Sequence, residues 1–359
     1  LPEFRNNLLA GKSGIGISGR LEEAPVQLAA EVERGEEAKL NEWAGAVMAE
    51  AVEQAGWDGR KGEATALGSA IGWNWPEKPG GAGEGLGSVA DGLADRAAFS
   101  ATFDSYSACA ASLQLVEQGH RLIASGAVDR VVLVTADSRV NHAAVVGYDR
   151  LHALTKDFHD CPKAASRPFD RRRSGFVVGE GAAAMVLEAE EIALREKSRI
   201  RGEILGAAST ADGGSPVAPA MDGEAAARAV RQAMKNAGVA VGKIDYVNAH
   251  GTSTGLNDRI EAMVLRKVFG RELDGIPVGS FKSMLGHSAM ACGMIELIGA
   301  LLVAGGSKIP ANRNLDEPDV DLWVRGWEEE ERKVETILKT SFGFGGQNTA
   351  VVARAAIGL

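Results

Sequence analysis

Cysteine, histidine and aromatic residues are scarce in this 359-residue chain, which holds three Cys and six His, with aromatics at 5%. An odd number of cysteines without regular spacing builds no disulfide framework, and so few of them fit a reducing, cytoplasmic setting. Neither Cys-x-x-Cys nor His-Glu-x-x-His occurs, so no metal-ligand spacing is present and no metal is expected. Positive charge is also short: 39 Lys and Arg stand against 48 Asp and Glu, a net charge of -9. That balance argues against a nucleic-acid partner. No apolar run approaches the length needed to span a bilayer, so no membrane partner is expected. The opening residues, with Glu3, Arg5 and two Asn, do not read as a signal peptide.

What is abundant is glycine, 45 residues, in a chain that is 45% hydrophobic and 24% charged. This is a soluble globular balance, and it favours closely packed α/β layers joined by short turns. Strand and helix patterns alternate along the chain. Helices are expected at 40–55, 89–97, 110–125, 189–197, 224–238, 257–269 and 289–304, and strands at 64–71, 99–103, 130–136, 201–208, 244–249, 276–280, 336–340 and 349–355. Asn257 or Asp258 is placed to cap the helix at 257. Segment 176–187 reads as two strands bent at Gly179 and Gly181, 140–163 as irregular, and 73–87, with Trp73 and Trp75, as a Gly/Pro loop. Such alternation means α/β with largely parallel sheets. A turn followed by a small-residue helix recurs at 106–125 and at 284–304, a sign of internal duplication.

The chemistry gathers on Asp104-Ser-Tyr-Ser-Ala-Cys109-Ala-Ala-Ser112. Cys109 stands where a strand turns into a buried helix, where unpaired backbone N–H groups and the helix dipole favour thiolate. The alternative is a small, inert core residue. Two histidines, His250 and His287, each closely follow a strand beside a glycine, and Lys282 precedes the second. These are sheet-edge positions, where α/β sites form. One such histidine is ordinary packing; two, with a cysteine and a lysine, are harder to explain that way.

Six motifs in one order carry a resemblance: Ala108-Cys109-Ala-Ala-Ser112, Ala165-Ser-Arg-Pro-Phe-Asp170, Gly175-Phe-Val-Val-Gly-Glu-Gly181, Asn248-Ala-His250-Gly-Thr-Ser-Thr254, Lys282-Ser-Met-Leu-Gly-His287 and Gly343-Phe-Gly-Gly-Gln-Asn348. From about residue 40 onward the chain resembles the elongating β-ketoacyl–acyl-carrier-protein synthases of the thiolase superfamily. The resemblance implies a five-layer αβαβα sandwich of two duplicated βαβαβαββ halves, 1–200 with the cysteine and 201–359 with the histidines. It implies an acyltransferase that condenses an acyl group on Cys109 with malonyl–acyl carrier protein, in fatty-acid or polyketide synthesis. No cofactor is expected, since the 4′-phosphopantetheine arm travels on the carrier protein. A carrier protein and a second copy, pairing through 99–104, are the expected partners.

By the same resemblance His250 and His287 would hold the enolate oxygen, and the N–H groups of Cys109 and Phe344 would form the oxyanion hole. Lys282 would orient the histidines through its charge, and Glu261 would be the acid beside it. Thr252 and Thr254 would bond the pantetheine arm. Phe344 would gate the acyl pocket and Tyr148 would stand at its mouth. Several positions depart from the family: Ser105-Tyr106-Ser107 before the nucleophile, Gly255 in place of Pro, Leu285 in place of Thr, and 288–291. The family's opening strand, a Val-rich run ending in Thr-Gly-Leu-Gly, has no counterpart, and the expectation is that the natural N-terminus lies upstream. Arg171-Arg-Arg173 reads as a carrier-protein contact or a solvated surface run, and Cys161, Cys292 and His120 as structural. Two other functions fit part of the pattern: a thioester hydrolase or non-condensing acyltransferase with His250 as base, and a non-catalytic partner subunit.

Overall fold

The computed structural model describes residues 1–32, 40–57, 64–72, 99–304, 308–310, 312–324 and 333–356. The helix expected at 89–97 and the loop holding Trp73 and Trp75 lie outside them. Six strands form one sheet: β1 (Ile15–Ile17), β2 (Leu28–Ala30), β3 (Thr65–Ile71), β4 (Ala101–Asp104), β5 (Arg130–Ser138) and β6 (Val178–Glu188), in the order β1-β2-β6-β5-β3-β4. Five form the other: β7 (Gly202–Ala211), β8 (Tyr246–Asn248), β9 (Val278–Gly279), β10 (Thr336–Gly343) and β11 (Gln347–Ala355), in the order β7-β11-β10-β8-β9.

The helices are α1 (Pro2–Leu9), α2 (Leu40–Gln54), α3 (Ala111–Ala124), α4 (His142–Arg150), α5 (Glu190–Glu196), α6 (Glu224–Ala237), α7 (Gly255–Phe269), α8 (Lys282–Leu285) and α9 (Cys292–Ala304). α3 and α9 pack on each other and on both sheets, forming the middle layer. α9 is apolar nearly all round, with Met294, Leu297, Ala300 and Val303 buried, as a helix covered on every side requires. α2 covers the outer face of β5 and β6, and α6 that of β7 and β11. The result is the expected α/β sandwich of five layers.

The duplication is visible in detail. Each half ends in an antiparallel pair, β5 with β6 and β10 with β11, whose first strand has a parallel neighbour, β3 beside β5 and β8 beside β10. Each buried helix is preceded by a 3-10 turn, Ala108–Ala110 before α3 and Ala289–Ala291 before α9. Each turn opens on an alanine at positive φ, 47° at Ala108 and 41° at Ala289. The halves differ at one edge. β7 pairs along β11, whereas among the described residues β2 meets β6 only at Val178 and Gly179. Along the rest of β6 runs a cleft of about 810 Å³, lined by Ala184, Val186, Val47, His120 and Ile298 among others.

Three local expectations are corrected. Segment 178–188 is one strand, not two. Gly179 is there for close approach: an added Cβ would stand 2.9 Å from the Leu285 carbonyl oxygen and 3.2 Å from the His287 nitrogen. Part of the supposedly irregular 140–163 is α4, capped by Asn141, whose side chain accepts from the Ala144 N–H at 2.9 Å. Helix α7 begins at Gly255, and its cap is Thr254, not Asn257 or Asp258; the Thr254 hydroxyl accepts from the Asn257 N–H at 3.3 Å.

Candidate active site

Cys109 lies at the centre of its 3-10 turn and is 8% exposed. The serines before it are anchored: the hydroxyls of Ser105 (2.9 Å) and Ser107 both donate to Gln114 Oε1 on α3. Tyr106 between them is exposed. Cys109 packs on Ala289 and Cys292 at the head of the duplicate helix, and Cys292 Sγ donates to the Cys109 carbonyl at 3.4 Å. Cys292 is thus structural, as expected, whereas Cys161 is exposed.

The thiol does not behave as the helix end alone suggests. Burial pushes Cys109 up to about 11, against lowering by Arg139, by Lys282 and by its own backbone N–H. Desolvation outweighs the favourable field because the site is nearly closed to water. The resting group is a thiol, and the two cations act on the thiolate when it forms.

His250 follows β8 and His287 follows α8. Both are buried, and their rings meet edge to face with centroids 5.3 Å apart. Nδ1 of each ring is buried with no hydrogen-bond partner. Burial holds both imidazoles well below their ordinary value. For His250, Lys282, His287 and Lys339 add to that; for His287, Lys282, Arg139 and Lys339 do. Both rings are therefore neutral N–H donors and weak bases.

The backbone around them is fixed by charged side chains. Glu261 accepts from the His250 N–H (2.8 Å) and the Gly251 N–H (2.7 Å). Glu261 is near enough to Lys282 to raise it, as expected, but the carboxylate that Lys282 binds directly is Glu296, at 2.6 Å. Lys282 Nζ also donates to the His250 carbonyl at 2.8 Å. Lys339 Nζ reaches the same Glu296 and, at 3.3 Å, the Ala249 carbonyl. On the other side the His287 N–H donates to the Val177 carbonyl at 2.8 Å.

Further rings extend the histidine pair into an arc. Phe342 stands 6.1 Å from His250, Phe176 5.1 Å from His287, Tyr148 5.1 Å from Phe176, and Phe344 6.3 Å from Tyr148. Tyr148 and Phe344 thus sit together. Thr252 is less available than expected: its hydroxyl is shared with that of Thr254 (2.9 Å) and lies 3.5 Å from Asp258. Of the arginine run, Arg173 is buried beside Asp258 (3.6 Å) and Asp319 (3.2 Å), while Arg171 and Arg172 pair with Glu317 and Asp316. It is not a free basic surface.

Sequence reasoning missed Glu296, Lys339 and Arg139. The signal for the first two was present: a lone carboxylate in an apolar helix and a lone lysine in an apolar strand need each other when both are buried. Arg139 donates to Asp137 Oδ2 at 2.9 Å, and that carboxylate also accepts the Met290 N–H at 2.9 Å. The pair thereby ties the end of β5 to the turn after His287.

Two family signatures match in tandem. Residues 97–193 match Beta-ketoacyl synthase, N-terminal domain, and residues 201–316 match Beta-ketoacyl synthase, C-terminal domain. The chain belongs to the β-ketoacyl synthase family. It is 36% identical over 249 residues to 3-oxoacyl-[acyl-carrier-protein] synthase 2 of Rhizobium meliloti, covering 69% of this chain and 59% of that one. It is also 36% identical over 250 residues to the actinorhodin polyketide putative beta-ketoacyl synthase 1 of Streptomyces coelicolor, covering 69% and 53%. The matched part thus spans less than two thirds of these relatives' length. In three dimensions this family member superimposes on a chain of AntDE:AntF, a type II PKS acyl-carrier protein in complex with its ketosynthase bound to the hexaketide. The TM-score is 0.89 at 26% identity, over 99% of this chain and 95% of that one. A chain of the ishigamide ketosynthase/chain length factor matches with TM-score 0.85 and 28% identity, over the same shares. No described helix is long and apolar enough to cross a membrane.

Proposed function

We propose that this chain catalyses decarboxylative Claisen condensation between an acyl group carried on Cys109 and malonyl–acyl carrier protein, giving a 3-oxoacyl–carrier protein. The observation that carries the reading is the pair of buried, neutral imidazoles, ring to ring at 5.3 Å, within the field of the lysine that also acts on the Cys109 thiol.

In the first step Cys109 Sγ attacks the acyl thioester. The new C–S bond forms as the pantetheine C–S bond breaks, and the thiol proton leaves with the departing pantetheine sulfur. Arg139 and Lys282 stabilise the sulfur while it is charged. The acyl oxygen accepts the backbone N–H groups of Cys109 and Phe344. In the second step malonyl thioester loses carbon dioxide, and the bonding pair becomes an enolate whose oxygen accepts an N–H from each histidine. The carbanion then attacks the acyl carbonyl, and collapse expels Cys109 as thiolate, which takes up a proton. Tyr148 and Phe344 border the acyl path, and the Thr252–Thr254 hydroxyl pair lies beside the pantetheine arm. The residues divide into a nucleophile half, 1–200, and a histidine half, 201–359. The reaction needs no cofactor beyond the partner's prosthetic arm. The working form is a homodimer joined at the exposed edge strand β4.

The histidines also weigh against the hydrolase alternative. A histidine base is oriented and made more basic by a carboxylate on its second nitrogen. Here each Nδ1 is buried without such a partner. The deciding experiment is malonyl–carrier-protein decarboxylation by Cys109→Ala. A condensing enzyme keeps this partial reaction, and His250→Ala or His287→Ala abolishes it. A Cys109→Ala protein that hydrolyses nothing and releases no carbon dioxide overturns the reading.

A further inference from the structure

The six motifs hold one lysine beside the histidines, yet among the described residues two lysines are buried. Lys339 stands in the middle of β10 with no exposure. Its ammonium donates to the Ala249 carbonyl at 3.3 Å and to Glu296 Oε2, while Lys282 donates to the His250 carbonyl at 2.8 Å and to Glu296 Oε1 at 2.6 Å. We infer that Lys339 is a second positioning residue for His250, the two lysines clamping successive carbonyls of the Ala249–His250 segment from one shared carboxylate.

The arrangement is more than packing. Burying an ammonium is costly, and a strand position between Leu338 and Thr340 is filled at lower cost by an apolar residue. Lys339 is also superfluous for neutralising Glu296, which Lys282 already pairs. Burial lowers Lys339 from its ordinary value, the Glu296 charge raises it and Lys282 lowers it further; Lys282 is held above its ordinary value. What Lys339 adds is a grip on the carbonyl before His250 and a second positive charge near both rings.

The groups that face the histidines are Lys282 from α8, Lys339 from β10, Glu296 from α9, Glu261 from α7 and Arg139 after β5. Of these, Lys282 and Lys339 act on both rings and Arg139 on His287, each against protonation. An imidazolium would bind the malonyl carboxylate as an ion pair and stabilise the ground state that must lose carbon dioxide. A neutral ring favours the enolate instead. This role rests on the condensing-enzyme reading, but its first test does not.

The test uses Lys339→Met, which removes grip and charge, and Lys339→Gln, which removes the charge and keeps a donor for Ala249. Imidazole NMR titration of the substrate-free protein should show the His250 ring titrating about one pH unit higher in both variants. The acid limb of malonyl–carrier-protein decarboxylation should move upward by the same amount. On the acid side of that limb kcat should fall about tenfold, with KM little changed, and the loss should disappear on the alkaline side. If Lys339→Met does not fold, Lys339→Gln carries the test, since its amide replaces the hydrogen bond. Unmoved ring titrations, with activity lost only in proportion to the unfolded fraction, overturn the inference. Shifted rings in a protein that never decarboxylates leave the inference standing and overturn the proposed reaction.

Discussion

Gly343 lies directly against the turn that carries Cys109. A Cβ on Gly343 would stand 2.7 Å from the Ser107 carbonyl oxygen and 3.1 Å from the backbone nitrogens of Cys109 and Ala110. All three are backbone atoms, so no side chain can swing aside to make room. β10 therefore sets the height of the Cys109 turn, and it does so through a residue with no side chain. Gly343→Ala should push the turn outward and slow acylation of Cys109 by about 100-fold, the cost of misplacing a reacting group by an ångström or so. The measurement is the growth of the acyl-Cys109 mass after mixing with acyl–carrier protein. Acylation at the original rate would mean that the turn and β10 do not share one rigid position.

Glu296 is the carboxylate that both buried lysines touch. Glu296→Gln leaves two ammonium groups facing each other without an anion between them, and should cost about 3–5 kcal/mol in a urea titration. Glu296→Gln/Lys339→Met, which deletes one lysine as well, should recover part of that loss. The coupling between the two changes is read from a double-mutant cycle. Simple additivity would show that the two groups do not depend on each other.

The six motifs picked out Cys109, both histidines and Lys282, because each is a run of residues whose order alone marks it. The α/β class was legible from the alternation of strand and helix, and the five layers from the resemblance that the motifs carry. The charged support was not. Glu296, Lys339 and Arg139 stand singly in apolar or irregular segments, and their meaning comes from other elements: Lys282 and Lys339 stand 14 and 43 positions from Glu296, and the Met290 N–H on the Asp137 that holds Arg139 is 153 positions from it. Glu261 does lie near Lys282, but its hydrogen bonds were not legible. Sequence distance does not show that its two oxygens turn toward the His250 and Gly251 N–H groups rather than toward Lys282. Thr254 was overlooked as a cap because Asn257 and Asp258, equally good cap residues, follow it closely. The state of the Cys109 thiol was misjudged because the helix end is local, whereas the burial that outweighs it is built by Ala289 and Cys292 from the other half.

A thiol raised from its ordinary 9.0 to about 11 has two measurable consequences. Iodoacetamide labelling of Cys109 should be slow at pH 7 and climb about tenfold per pH unit up to pH 10, without levelling near 9. Stability should also respond. The folded chain holds this proton more tightly than the unfolded chain, so the contribution is complete below about 9 and is lost as pH rises through about 11. Cys109→Ala should remove that part of the alkaline decline. Arg139→Met, which deletes the largest lowering influence, should slow labelling further at every pH. Labelling that levels off by pH 8 would place the thiolate in the resting site.

Asp258 gives a second titration, of the same sign and in a different window. It is buried and accepts the Phe169 N–H at 2.9 Å, and Arg173 lies 3.6 Å away, yet burial dominates and pushes its carboxyl up to about 6. The unfolded chain releases this proton near 3.8. The folded state is therefore favoured while Asp258 is protonated. That contribution is complete below about 3.8 and is lost as pH rises past about 6, an effect on the order of 3 kcal/mol. Asp258→Asn cannot ionise, so the stability difference between variant and wild type should shift in favour of the variant between pH 4 and pH 7. Urea midpoints at half-unit intervals measure it, and other carboxylates cancel because both proteins share them. A difference that stays flat across this range would mean that Arg173 and the Phe169 N–H, together with Asn257, already hold the carboxylate ionised.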